Sequence, residues 1–105
     1  MESTENSDLE KWGRLYRRED HIVAREIAGE TILVPIRGNL ADMQRIFNLN
    51  TVAAYIWGRL DGETRLEDVR SGMMADFEVE KEEADADIHD FISELLEAEL
   101  IVGLP

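Results

Sequence analysis

The chain predicts an α+β, winged-helix-like domain: a three-stranded antiparallel sheet followed by three helices. Three observations carry that expectation. Alternating β-branched segments are confined to the first half, a helix with its own cap and stop sits at the centre, and two apolar rows at helical spacing lie near the end. With 105 residues there is room for one modest core and no second one. The expected organisation is a flexible N-terminal tail over residues 1–20 and one domain over residues 21–105.

Residues 1–10 are rich in Glu, Ser, Thr and Asn, a composition with too little apolar surface to order itself. Trp12, Leu15 and Tyr16 interrupt that tail with bulk that can dock on something. Residues 21–27 are β-branched and alternating, and Ala28-Gly29-Glu30 supplies a tight turn. Residues 31–36 read as the returning strand. Pro35 has no backbone donor, so it belongs where the pairing ends or at an edge. Arg37-Gly38-Asn39 breaks the chain, and residues 40–43 form an irregular or single-turn connection. Residues 44–49 are the third strand, with Phe47 and Leu49 on one face and Ile46 and Asn48 on the other. Three short strands are marginal alone and must lean on helices.

Asn50 suits a helix start, because its side-chain oxygen can accept a free first-turn N–H. Val52, Ile56 and Leu60 repeat at i, i+4 and i+8, with Ala53 and Trp57 on the neighbouring row. Asp61-Gly62 is the expected stop, since glycine tolerates a left-handed cap. Trp57, beside Ala53 and Ala54, reads as a core anchor rather than a binding-site aromatic. In residues 66–77, Leu66, Val69, Met73, Met74 and Phe77 mark a second helical face. Gly72 weakens that helix by up to about 1 kcal/mol relative to alanine, which a close helix contact would explain. Glu80 opens the longest helix, running to about residue 100. Ala84, Ile88, Phe91 and Leu95 form one row on it, and Ile92 and Leu96 the adjacent one. Asp85, Asp87, Asp90, Glu94 and Glu97 cover the remaining surface. The apolar stripe is wider than one small core needs. Residues 101–105 read as a short extended tail.

There is no cysteine, which excludes disulfides, thiolate metal sites and cysteine nucleophiles and fits a reducing cytoplasm. The acidic start is unlike a secretory signal, and no apolar run approaches the roughly 18 residues a membrane span needs. The expected location is cytoplasmic, with no membrane partner. The net charge of −13 is concentrated: residues 63–105 carry fourteen acids and three bases. That third repels nucleic acid, whose readers need a basic recognition helix. It also attracts a cationic partner, or it merely solubilises a helix; composition leaves both readings open.

No catalytic set can be assembled. The only histidines are His21 and His89. Asp85 and His89 at i, i+4 could share a metal with Glu82 or Asp90, but no third independent ligand stands out. The expectation is therefore no metal, no cofactor and no enzymatic activity. Peptide capture fits better. The third strand comes last in its sheet and offers unpaired N–H and C=O groups that a peptide can complete as an added strand. The long helix supplies the facing wall.

The block from Leu49 to Gly62 closely resembles the Leu-Asn-x-x-Ala-x-x-Ile-Trp-x-x-Leu-Asp-Gly core of the PqqD family. These are small recognition modules for the precursors of ribosomally synthesised, post-translationally modified peptides (RiPPs). The resemblance runs from about residue 21 to residue 101. It includes Ala-Gly-Glu-Thr at 28–31, Val34-Pro35-Ile36-Arg37-Gly38, and the Leu-Leu-Glu-Ala ending at 95–98. The family usually has glycine after that alanine; Glu99 stands there instead, which puts the geometry of the last turn in question.

The resemblance implies a peptide-binding adaptor, or chaperone, holding a leader peptide between strand and helix. Its strand wall would be Arg45, Ile46, Phe47 and Asn48, and its helix wall some of Asp87, Ile88, Phe91, Ile92 and Leu95. The plain alternative is that Ile88, Phe91, Ile92 and Leu95 are all core. The resemblance further implies a peptide-modifying partner enzyme, often a radical S-adenosylmethionine (radical SAM) protein, with PQQ biosynthesis one setting among others. A structural or regulatory domain that binds a folded partner is the other functional class, and an acidic transcription factor a third. A homodimer through paired sheet edges also stays open.

Trp57→Ala is expected to cost about 3–5 kcal/mol, enough to unfold a small domain. Chemical denaturation measures it, and an unchanged melting temperature refutes the core assignment.

Overall fold

The computed structural model describes residues 12–36 and 47–104. Arg45 and Ile46, the expected connection at 40–43 and the first residues of the tail lie outside that set. Along the chain come β1 (Leu15–Arg18), β2 (Ile22–Ile27), β3 (Glu30–Pro35), β4 (Phe47–Leu49) and α1 (Thr51–Arg59). They are followed by β5 (Asp61–Arg65), α2 (Leu66–Phe77), α3 (Lys81–Glu97) and β6 (Ile101–Leu104).

The described strands form two antiparallel sheets, ordered β2-β3-β4 and β5-β1-β6. The first is the sheet expected from the alternation. Its hairpin closes through a two-residue loop, Ala28 at φ +54° and Gly29 at φ +84°, with Ile27 opposite Glu30. Two positive φ values in a row match the right-handed twist of the strands they join.

The second sheet corrects three expectations. Residues 15–18 are not tail but its central strand, and Arg17 and Arg18 pair with Val102 and Ile101. The chain end at 101–104 is likewise a strand. Asp61-Gly62 does not stop the central helix; it opens β5, two residues after α1 has ended at Arg59. The end of α1 is capped locally, by Leu60 N–H to Trp57 O (3.2 Å), and also from far away in sequence. The Arg18 guanidinium donates to the carbonyls of Trp57 (2.9 Å) and Gly58 (3.1 Å), and the Arg18 N–H donates to Leu60 O (3.1 Å). Carbonyls at a helix end need such partners. Gly62 still has a backbone reason: φ is +83°, and a Cβ there would meet Leu104 Cδ1 at 3.4 Å and Arg17 Cβ at 3.5 Å. Asp61 locks the corner, accepting from the N–H of Glu63 (2.9 Å) and Thr64 (3.0 Å) and from the Thr64 hydroxyl (3.2 Å). Those bonds, that from Glu63 foremost, hold its carboxyl below the usual range.

The core is continuous through both sheets and all three helices. Ile56, Leu60, Leu66, Val69, Met73, Ile88 and Leu95 are each at most 1% exposed, and Trp57 is 5% exposed. Trp57 is thus the anchor expected of it. Met74 and Leu96, expected on apolar faces, are instead 37% and 41% exposed. Trp12 docks under the Arg70 guanidinium, 4.6 Å from its ring centre, and Arg70 pairs with Asp85 at 2.9 Å. Lys81 reaches the same carboxylate at 3.4 Å, so α2 and α3 are tied at one point.

Gly72 sits where the close contact was expected: a Cβ there would collide with the Tyr55 hydroxyl. The Tyr55 ring also packs edge-on against Phe77, with centroids 5.5 Å apart. The last turn of α3 ends in a Schellman motif, Leu100 N–H to Leu95 O (3.0 Å) and Glu99 N–H to Leu96 O (3.1 Å). Its left-handed residue is Glu99, at φ +61°. The glycine missing from the family pattern is missing where the backbone wants one.

Two stability measurements test these assignments. Glu99→Gly is expected to stabilise by about 1 kcal/mol, by relieving a left-handed side-chain residue. A destabilised variant would contradict the cap geometry. Gly72→Ala is expected to destabilise by about 1 kcal/mol, overpacking outweighing the gain in helix propensity. In a Tyr55→Phe background most of that loss should vanish in a double-mutant cycle, and additivity of the two changes would exclude the contact.

Candidate functional site

β4 pairs with β3 through Thr31–Leu49, Ile32–Asn48 and Leu33–Phe47, and among the described residues no strand pairs with its outer side. Its alternation puts Phe47 and Leu49 in the core and leaves Asn48 exposed. In an antiparallel pair every second residue turns both N–H and C=O away from its partner. An edge strand therefore carries unmet hydrogen-bonding capacity even when its side chains are satisfied.

β4 ends at Leu49, and Asn50 starts α1 at once. Its side chain accepts from Ala53 N–H at 2.8 Å with an extended backbone, the N-cap expected from sequence. The abrupt change from strand to helix leaves an open groove of about 490 Å³ with three sides. Phe47, Asn48 and Leu49 form the strand side, Asn50, Val52, Ala53 and Ile56 the α1 side, and Glu83, Asp87, Asp90, Phe91 and Glu94 the α3 side.

The helical turn sorts the residues expected on α3. At about 100° per residue, Glu83, Asp87, Asp90 and Glu94 fall within an arc of about 60° facing the groove. Ile88, Ile92 and Leu95 point about 110–170° away from it and are 0%, 4% and 0% exposed, so they are core. Phe91 lies between the two faces, 9% exposed, and contributes to the floor. Of the nine expected site residues, Phe47, Asn48, Asp87 and Phe91 line the groove. Ile88, Ile92 and Leu95 do not, while Arg45 and Ile46 are outside the described residues.

Sequence reasoning left out the α1 side and, from its site list, Glu83, Asp90 and Glu94. The acids had a signal of their own, a recurrence every three to four residues through positions 83, 87, 90 and 94. The α1 side had none, because it faces β4 only once the chain has turned at Asn50.

The groove has an apolar floor and a one-sign wall. Four carboxylates line it, and among the described residues its lining contains no lysine or arginine. Lys81 and Arg70 are engaged by Asp85, which lies outside the groove lining. That engagement also occupies the carboxylate considered with His89 as a metal pair. Among the described residues no group of His, Asp and Glu is arranged to hold a metal ion. No described helix is long and apolar enough to cross a membrane. A second hollow, about 540 Å³, lies at the other end of α1 between β1 and β2. It is lined by Arg17 and Arg18 among others, and Arg18 is already committed to capping α1.

What this arrangement can do is hold an extended chain: a strand edge that no described strand occupies on one side, a helix on the other and apolar rings beneath. Solved structures of the same fold include TbiB1 in complex with the TbiA(beta) leader peptide. It is 25% identical to this chain, with a TM-score of 0.66, over 85% of this chain and 98% of its own length. A lasso peptide synthetase B1 complexed with the leader peptide is also 25% identical, with a TM-score of 0.63, over 86% of this chain and 98% of its own. No curated protein sequence matches the chain. The family profile of coenzyme PQQ synthesis protein D (PqqD) matches residues 30–101, most of the chain, which therefore belongs to the PqqD family.

Proposed function

We propose that this protein is a non-catalytic adaptor that captures the leader of a ribosomally made precursor peptide. Capture is by strand addition on the outer edge of β4, with α3 as the opposite wall. The observation that carries the reading is the outer edge of β4, with which no described strand pairs, facing α3 across an open groove. Family membership and two structural relatives solved with leader peptides support it.

Main-chain pairing along β4 supplies affinity that depends little on sequence, and the groove walls supply selection. The adaptor needs no cofactor. Its contribution is effective concentration: a leader held in the groove keeps the rest of the precursor near a catalyst bound to the same adaptor. A radical SAM enzyme is the catalyst that the family resemblance suggests, while one structural relative bears the name lasso peptide synthetase B1. The leader is held in the same way in either setting. A cytoplasmic location, where precursors are translated, belongs to the same reading.

Amide hydrogen exchange on the full chain, with and without a leader peptide from a precursor encoded beside its gene, tests this. Backbone amides of β4 that point away from β3 are expected to gain protection when the leader binds. Protection confined to α2 or β1 would place the partner elsewhere, and the folded-partner reading would replace this one. Protection of β4 that rises with protein concentration alone would assign the edge to a second copy of the chain.

A further inference from the structure

Resting on the capture reading, we infer that the groove selects a leader segment with basic side chains at alternate positions, read by the acids of α3. Glu83, Asp87, Asp90 and Glu94 all line the groove and are all exposed. At 1.5 Å per residue they follow one another along the helix at about 6, 4.5 and 6 Å. In an added strand, side chains on one face repeat about every 6.7 Å. A strand lying along this wall thus meets a carboxylate at nearly every residue that faces it.

Charge complementarity decides the occupant. The described lining carries four carboxylates and, among the described residues, no cation, so an acidic or neutral segment would bring those carboxylates no partner. Lysine or arginine at positions i, i+2 and i+4 would meet them, while the intervening residues turn away from that wall. The selection is positional, not a matter of total charge. A cluster of consecutive lysines places half its charges on the wrong side.

Two synthetic peptides of identical composition separate these cases. Both are capped, threonine- and valine-rich strands; one carries lysine at every second position, the other the same lysines consecutively. At low salt the alternating peptide is expected to bind about tenfold more tightly and to protect β4 amides on binding. In protein carrying Glu83→Gln, Asp87→Asn, Asp90→Asn and Glu94→Gln that preference should disappear. These positions are exposed, so the fold should survive, as circular dichroism and the melting temperature will check.

Equal affinity for the two peptides overturns the inference, as does a preference that survives neutralisation or a failure of both to bind. A leader peptide from the neighbouring precursor gene distinguishes the two levels of the argument. If it protects β4 with equal affinity in both proteins, leader capture stands and the acid readout falls. If it leaves β4 unprotected, both fall.

Discussion

Each end of α1 is tied to a different sheet, and neither sheet among the described residues has more than three strands. At its start Asn50 turns directly out of β4 and caps the helix. At its end Arg18, from the centre of the other sheet, satisfies the carbonyls of Trp57 and Gly58. Sheets this small are barely stable on their own. They gain a common core because Ile56, Trp57 and Leu60 are buried between them. The Arg18 contact is therefore more than a cap, since it joins the end of α1 to the strand beside which β5 runs.

The groove follows from that joint. β4 cannot extend past Leu49 because Asn50 has already begun a helix, and α1 swings away from the sheet edge. α3 cannot close the gap, because its apolar face is committed to the core and Asp85 is held by Arg70 of α2. The same commitment orients α3. With Asp85 on the side toward α2, the helical turn carries the acids at 83, 87, 90 and 94 round to the open side. Among the described residues no strand or helix pairs with the outer edge of β4, and α1 and α3 are each engaged elsewhere.

Sequence legibility followed how local each signal was. Trp57 and Gly72 stood out through residue type at their own positions, and the β2–β3 hairpin, the Asn50 cap and the spans of the later helices all rest on residues within a few positions of one another. The second sheet did not. β5 is Asp-Gly-Glu-Thr-Arg with no buried residue, β1 buries only Tyr16, and both are strands because of partners far along the chain. The site was half legible for a related reason. The wide stripe on α3 was correctly placed on one helix, but only packing could divide it. Ile88, Ile92 and Leu95 are enclosed, whereas Phe91 sits at the lip where core meets groove. The α1 side was invisible because it exists only through the turn at Asn50.

The charge on α3 bears on the groove as well as on solubility. Glu83 and Asp87, Asp87 and Asp90, and Asp90 and Glu94 stand three or four residues apart, and like-charged pairs at that spacing cost a few tenths of a kcal/mol each. The last turn carries no basic residue, so nothing there complements the helix dipole. Glu99 adds a strained left-handed position just beyond it. A helix needing only to stay dissolved would do better with the two signs interspersed, as at Lys81 and Asp85. Here the sign is uniform along one narrow arc, and that arc faces a strand edge with which no described strand pairs. A cationic strand laid between them would relieve the repulsion and complete the edge in one step. Both local liabilities of this domain would then be answered by the same occupant.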